Sequence, residues 1–196
     1  MTDNPQRRTV LKSGVAGVLA GLAAAPLSAL AAATPTAAKP EAKPVAGTGK
    51  PGEFDFLAGE WRIHHRRLKS PGVWDEFEGE ATCWTILGGV GSVEELRIPA
   101  RNFSGMGLRL LDVENKVWSD FWVNVRSGVL TSPGTQGRFV DGDGIFGADD
   151  VDNGQPIKVR GVWDRITATS CRWYQAVSRD QGKTWEDNWL MDWKRA

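Results

Sequence analysis

Residues 117–126 read Val117-Trp118-Ser119-Asp120-Phe121-Trp122-Val123-Asn124-Val125-Arg126. Counting by twos from Val117 gives Val, Ser, Phe, Val, Val; counting from Trp118 gives Trp, Asp, Trp, Asn, Arg. A period of two is that of an extended strand, whose side chains alternate between the faces of a sheet. One face here is apolar and the other aromatic and polar, which suits the wall of a lumen holding something amphipathic.

The same grammar recurs outward from this stretch. Segments of β-branched and aromatic alternation run over 61–69, 157–163, 168–177 and 185–193, nine or ten strands in all. Turn residues punctuate them: Ser70-Pro71-Gly72, Gly88-Gly89, Asn102 to Gly105, Glu114 to Lys116, Ser132-Pro133-Gly134, Asp141 to Gly144, Asn153-Gly154 and Arg179 to Lys183. Phe54 to Glu60 fits a short helical turn leading into the first strand. Elsewhere no window keeps apolar residues at helical spacing for three turns, and no strand–helix alternation argues for a parallel sheet. An open meander of this length would expose long edges, and closure removes them. The expected fold is all-β, an antiparallel up-and-down barrel, with a two-sheet sandwich as the alternative.

Composition sets the outer limits. The 196 residues hold 24 basic and 24 acidic side chains, a balance that argues against a nucleic-acid binder. Ten Trp against one Tyr, with 23 Gly and two Cys, suggest a turn-rich β protein with an aromatic interior and no disulfide framework. Residues 6–12, Gln-Arg-Arg-Thr-Val-Leu-Lys, carry a twin-arginine pair, an Ala/Gly-rich apolar stretch runs from Ser13 to Leu30, and Ala29-Leu30-Ala31 supplies a cleavage pattern. Residues 1–31 are read as a twin-arginine signal peptide rather than a membrane anchor, since Gly14, Gly17, Gly21 and Pro26 interrupt the stretch. The expected partner during export is the twin-arginine translocase, the location periplasmic or secreted, and the mature form without a membrane span. Residues 32–52, rich in Ala, Pro, Lys and Thr, are a flexible linker. The barrel domain is assigned to 53–196.

His64-His65-Arg66-Arg67 contains both histidines of the chain. Neighbouring strand residues face opposite ways, so the two cannot share a metal. If Trp61 faces the core, Ile63, His65 and Arg67 face it too. An inward His65 could serve as acid/base, ligate haem, or be a hydrogen-bonded core residue. A zinc site would need further ligands, and only Cys83 and Cys171 remain. These lie in the second and ninth strands and are read as buried free thiols. Ser178-Arg-Asp180-Gln-Gly182-Lys-Thr184-Trp185 matches the Asp-box hairpin of sialidase-like propellers, with a structural meaning: Asp bonds turn amides, Gly supplies positive φ, and Trp staples the next strand. The acidic stretches at 141–144 and 149–154 lack the spacing of a calcium loop and read as hairpin turns. No metal and no cofactor are expected.

Phe54-Asp-Phe-Leu with Gly59-x-Trp61, His64-His-Arg-Arg-Leu68, Trp74-x-Glu-Phe-Glu-Gly79, Leu87-Gly-Gly-x-Gly91, Arg172-Trp-x-Gln-Ala176 and Asp180-x-Gly-x-Thr-Trp-Glu-x-Asn-Trp189 resemble a bacterial secreted family, domain of unknown function fifteen seventy-nine. The resemblance spans nearly all of 53–196. It implies a calycin-type barrel, similar in shape to lipocalins and fatty-acid-binding proteins, and carries over no catalytic residues. Nitrobindin, a haem-binding barrel of similar shape, takes its axial His near the chain end, where this chain has none.

The leading function is binding of a small apolar or aromatic molecule in a Trp-lined lumen. Trp118, Trp122, Trp163, Trp173 and Trp189 are the lining candidates, and Arg126, Arg160, Arg172, Gln175 and Asn188 the polar ones. Two alternatives stand beside it. One is a cofactor-free lyase or isomerase using His65 as acid/base with an Arg clamp; the other is a packed structural or partner-binding domain.

Overall fold

The computed structural model describes residues 47–196. The signal expected over 1–31 and the linker as far as residue 46 lie outside the described residues. Ten strands follow in order: β1 (Gly59–Ser70), β2 (Val73–Ile86), β3 (Gly91–Ile98), β4 (Phe103–Asp112), β5 (Val117–Asn124), β6 (Thr135–Val140), β7 (Asp143–Asp152), β8 (Gln155–Asp164), β9 (Ser170–Ser178) and β10 (Glu186–Arg195). Each pairs with its sequence neighbours, and β10 returns to β1 from Trp61↔Arg195 to Arg67↔Trp189. One antiparallel sheet thus closes on itself, and the sandwich alternative does not hold.

The tight turns supply the twist that closure needs. Asp141-Gly142 and Asn153-Gly154 each place two residues at positive φ (51° and 91°; 50° and 77°), the geometry of a two-residue turn that matches strand twist. All connections after odd-numbered strands lie at one end of the barrel. The other end is plugged by the segment that precedes β1.

That segment is longer than the sequence boundary at 53 implies. Gly47 N donates to Asn115 O at 3.2 Å, Gly49 N to Lys116 O at 2.9 Å, and Gly52 N to Gly89 O at 2.9 Å, so residues 47–52 are laced to the barrel's turns. A 3-10 turn over Asp55–Leu57 then seats Phe54 and Leu57 inside. Phe54 meets Trp118 and Phe139 edge-on, each at 5.0 Å between ring centres. Trp61 Nε1 donates to Leu57 O at 2.7 Å, and Trp61 meets Trp193, which meets Trp163. Edge-on aromatic pairs of this kind each contribute about 0.5–1.5 kcal/mol beyond area burial.

Seven tryptophans (61, 118, 122, 163, 173, 189 and 193) are buried, whereas Trp74 and Trp84 are exposed on β2. The aromatic interior is therefore real but does not claim every indole. By parity Trp74 and Trp84 lie opposite the buried Gly79, Ala81 and Cys83.

The turn from β9 to β10 is built around Asp180 as its motif requires. Asp180 Oδ1 accepts from Lys183 N (3.1 Å), Thr184 N (2.9 Å) and the Ser178 hydroxyl (2.8 Å), while Oδ2 accepts from the Thr184 hydroxyl at 2.7 Å. Gly182 sits at φ 92°, and Trp185 Nε1 donates back to Gly182 O. These donors, led by Thr184, hold the Asp180 carboxyl down at about 2. A folded value below the unfolded one means stability that is present above about pH 4 and lost as pH falls toward 2. Asp180→Asn should therefore be less stable than the parent near neutrality, with the gap in denaturant midpoint narrowing over that acid window. A gap that stays constant from pH 7 to pH 2 would refute the assignment.

Candidate functional site

Strand parity and burial sort the interior into two levels. Below, toward the plug, the inward side chains are Trp61, Trp118, Phe146, Trp163 and Trp193, packed against Phe54 and Leu57. Above them are His65 and Arg67 on β1, Phe77 on β2, Trp122 on β5, Trp173 and Gln175 on β9, and Trp189 on β10. Between the levels lie Glu94 of β3 and Arg109 of β4, with Asp120 of β5 beside them.

A barrel of eight strands has an interior that side chains just fill, and bore grows with strand number. Ten strands therefore give a wider bore than eight. In the upper level several inward positions are small: Gly79, Gly105, Ala148, Val159 and Gly161. Three of these glycines make room for a specific neighbour. A Cβ at Gly79 would lie 2.6 Å from His65 Nε2, one at Gly105 2.3 Å from the Trp122 ring, and one at Gly161 3.2 Å from Trp173 Nε1.

His65 is fully buried, stacked on Phe77 at 4.6 Å with 9° between the rings. Trp189 Nε1 donates to its Nδ1 at 3.2 Å. An indole nitrogen only donates, so Nδ1 is the acceptor and the neutral ring carries its proton on Nε2. In this arrangement the ring is oriented as a hydrogen-bond donor at Nε2, not as a base. Trp189 also meets Trp173 edge-on at 6.0 Å and lies under the Arg67 guanidinium at 4.9 Å. His64 points the other way, half-exposed, with Nδ1 2.7 Å from Glu78 and Nε2 3.4 Å from Glu76.

Arg109 is buried against a carboxylate. Its Nη2 donates to Glu94 Oε2, its Nε stands 3.6 Å from Asp120 Oδ1, and its guanidinium lies 5.1 Å from the Trp163 ring and 5.5 Å from Phe54. Burial pushes the guanidinium's affinity for its proton down, but the charges of Glu94 and Asp120 outweigh that and raise it. Cys83 and Cys171 are both buried free thiols. Burial, reinforced by the charge of Glu94, pushes Cys171 up to about 12 and Cys83 higher, so neither is a thiolate at neutral pH. Among the described residues no group of three or more His, Cys, Asp or Glu is placed to hold a metal ion.

The structure brings together Trp122, Trp173, Gln175 and Trp189 on the upper wall, with His65. It places Trp118 and Trp163 in the plug level, where Trp118 Nε1 donates to Glu53 at 2.8 Å. Three arginines named from sequence do not reach the lumen. Arg172 is on the outer face, locked to Asp164 and lying over Tyr174. Arg160 is on the same outer face, 4.3 Å over Trp185. Arg126 is exposed in the turn beyond β5, over Phe103. Parity gives the reason: Arg172 adjoins the inward Trp173, and Arg160 is three positions from the inward Trp163. Asn188 sits at the irregularity in the β9–β10 ladder between Asp187 and Trp189, its Oδ1 buried. Glu94, Arg109 and the inward Arg67 are the polar groups that take the place of those three arginines. A methyl at Gly79 would collide with the imidazole, so Gly79→Ala should cost about 1–3 kcal/mol. It should also move the Trp189 indole N–H resonance in NMR. An unmoved resonance would show that Gly79 does not seat His65.

No family model and no curated protein matches the chain. Among solved structures it is similar to the crystal structure of Rv2717c from M. tuberculosis, with 9% identity, a TM-score of 0.45, and coverage of 72% of this chain and 93% of that one.

Proposed function

We propose that the protein is an exported binding barrel that holds a small, flat, apolar or aromatic molecule in the upper level of its lumen. The observation that carries this reading is the upper wall: Trp122, Trp173, Trp189 and Phe77 face a ten-stranded bore whose other inward positions are thinned to Gly, Ala and Val. Indole faces offer stacking area at low entropic cost, and His65, Arg67 and Gln175 supply a few oriented polar groups. The engagement of His65 Nδ1 by Trp189 favours binding over a reaction that needs this imidazole as base.

Saturable quenching of Trp emission, with a raised melting temperature, is the expected response to a flat aromatic ligand. Trp122→Ala should weaken that binding by about fivefold, since one stacked ring is worth on the order of 1 kcal/mol beyond its area. The variant should stay folded. A panel of flat apolar compounds that changes neither fluorescence nor melting temperature would leave the packed structural domain as the better reading.

Export by the twin-arginine route belongs to the same proposal, on the strength of Arg7-Arg8 and the Ala29-Leu30-Ala31 pattern. Arg7→Lys with Arg8→Lys should leave unprocessed protein in the cytoplasm, because Lys keeps the charge but not the guanidinium geometry. Normal processing of the double variant would point to the general secretory route instead.

A further inference from the structure

We infer that the plug end of the barrel carries a second binding site, an acidic cleft with an aromatic floor that takes an arylmethyl ammonium ion. This goes beyond the lumen reading, because the buried plug level separates the cleft from the upper level.

The cleft encloses about 460 Å³ and opens to solvent between the plug, the β6–β7 turn and the β8–β9 turn. Phe56 of the plug, Phe139 of β6 and Ile166 give it an apolar floor, each of them half-buried. The two rings stand edge-on, 6.4 Å between centres at 76°. Phe139 also meets the buried Phe54, and Phe56 meets Trp163, so the floor is held from within. Gly52 and Gly142, both at positive φ (88° and 91°), complete the lining without side chains that could fill it.

The charged side chains of this lining are all of one sign. Glu53 and Asp141 line it, and no Lys, Arg or His does. Glu53 Oε2 accepts from Lys50 N at 2.9 Å and from the Trp118 indole at 2.8 Å, which fixes the carboxylate and leaves Oε1 for a ligand. Asp141 is exposed in its turn, and its carboxylate makes no hydrogen bond or ion pair among the described residues. Lys50, Arg138 and Arg165 are the nearest cations along the chain, and none of them pairs with either carboxylate.

Two carboxylates repel an entering anion, while aromatic rings attract a cation through their quadrupoles. The open oxygens accept N–H donors, which a primary ammonium supplies and a quaternary one does not. A bare metal ion would gain nothing from the apolar floor and would find only two carboxylates where hard cations take six or more oxygens. An aryl group carried on the ammonium answers the floor.

NMR titration of the purified protein with 2-naphthylmethylammonium, 2-naphthylmethanol and 2-naphthoate, following the Gly142 amide, tests the assignment. We expect the ammonium to move that amide saturably and to bind at least about fivefold more tightly than the alcohol, with the naphthoate weakest. Asp141→Asn and Glu53→Gln should each weaken the ammonium about threefold, as loss of one partly solvated charge does. The double variant should bring the ammonium-to-alcohol ratio near one. Both variants keep the fold, since Asn tolerates positive φ as Asp does and Gln retains an oxygen for Lys50 N and Trp118 Nε1. Glu186→Gln removes the same charge at the far end of the barrel and should leave the affinity unchanged. Equal binding of ammonium and alcohol, tightest binding of the naphthoate, or a Gly142 amide that does not move overturns the inference. So does a Glu186→Gln loss as large as that of Asp141→Asn, which would reduce the effect to net charge. Each of these outcomes leaves the lumen reading standing.

Discussion

The guanidinium of Arg195 ties the two ends of the folded chain together. From the last strand it donates to Phe56 O at 2.8 Å and to Ala58 O, reaches Ala168 O through Nε at 3.3 Å, and lies 4.0 Å over the Trp61 ring. Its partners Phe56 and Ala58 belong to the plug, Trp61 to the first strand, and Ala168 to the turn that precedes β9. An arginine suits this place because a planar fork can serve several carbonyls while stacking on an indole, which an ammonium cannot do. One side chain thus links barrel closure to plug insertion. Arg195 and Phe56 are 139 positions apart, and loop-closure entropy grows only slowly with length, so the tie is affordable but must form late.

Above that tie the interior changes character. The plug level is mainly a set of aromatic contacts, with Glu53 and Arg195 meeting its indoles from the edge, an ordinary solution to filling space. Arg109 then introduces a buried charge directly on top of the aromatic layer. Such pairs gain little net stability, and well-packed apolar residues of similar volume often do as well. Stability alone therefore gives no reason for Glu94 and Arg109 at these inward positions.

Strand period two carried most of what was legible in the sequence. The alternation in β5 put Trp118, Asp120 and Trp122 on one face, and the structure turns that face inward. The pairs Asp141-Gly142 and Asn153-Gly154 announced hairpins through their tolerance of positive φ. The same rule placed Arg67 inward with Trp61 and, applied strictly, would have kept Arg160 and Arg172 out of any lumen that contains Trp163 and Trp173. Arg126 shares parity with Trp118, but β5 ends two residues earlier, at Asn124. Element ends are set by tertiary pairing, here with a β6 that pairs only as far as Thr135↔Asp120, and that pairing is invisible locally. Glu94 and Arg109 were hidden for a different reason. Their parity with Leu96 and Leu111 marks them as inward, yet charged side chains are so seldom fully buried that the pattern reads as solvent-facing. Arg195 escaped for the same reason, two positions beyond β10's inward run of Trp189, Met191 and Trp193.

The inward glycines link the barrel's architecture to its chemistry. In a strand, glycine loses entropy and packs nothing, and it persists where something approaches closely. Here the close approach comes from large side chains of the barrel itself: the His65 ring at Gly79, the Trp122 ring at Gly105, the ion pair at Gly107 and the Trp173 indole at Gly161. Each large group occupies the space that a side chain at the glycine would need. The plug level uses the same device, since a Cβ at Gly137 would lie 2.5 Å from the Phe146 ring and one at Gly49 3.1 Å from the Trp118 ring. Edge-to-face contacts likewise join rings at both levels, Phe54 with Trp118 below and Trp173 with Trp189 above. Glycine on one strand thus makes the room into which a large ring of a neighbouring segment packs.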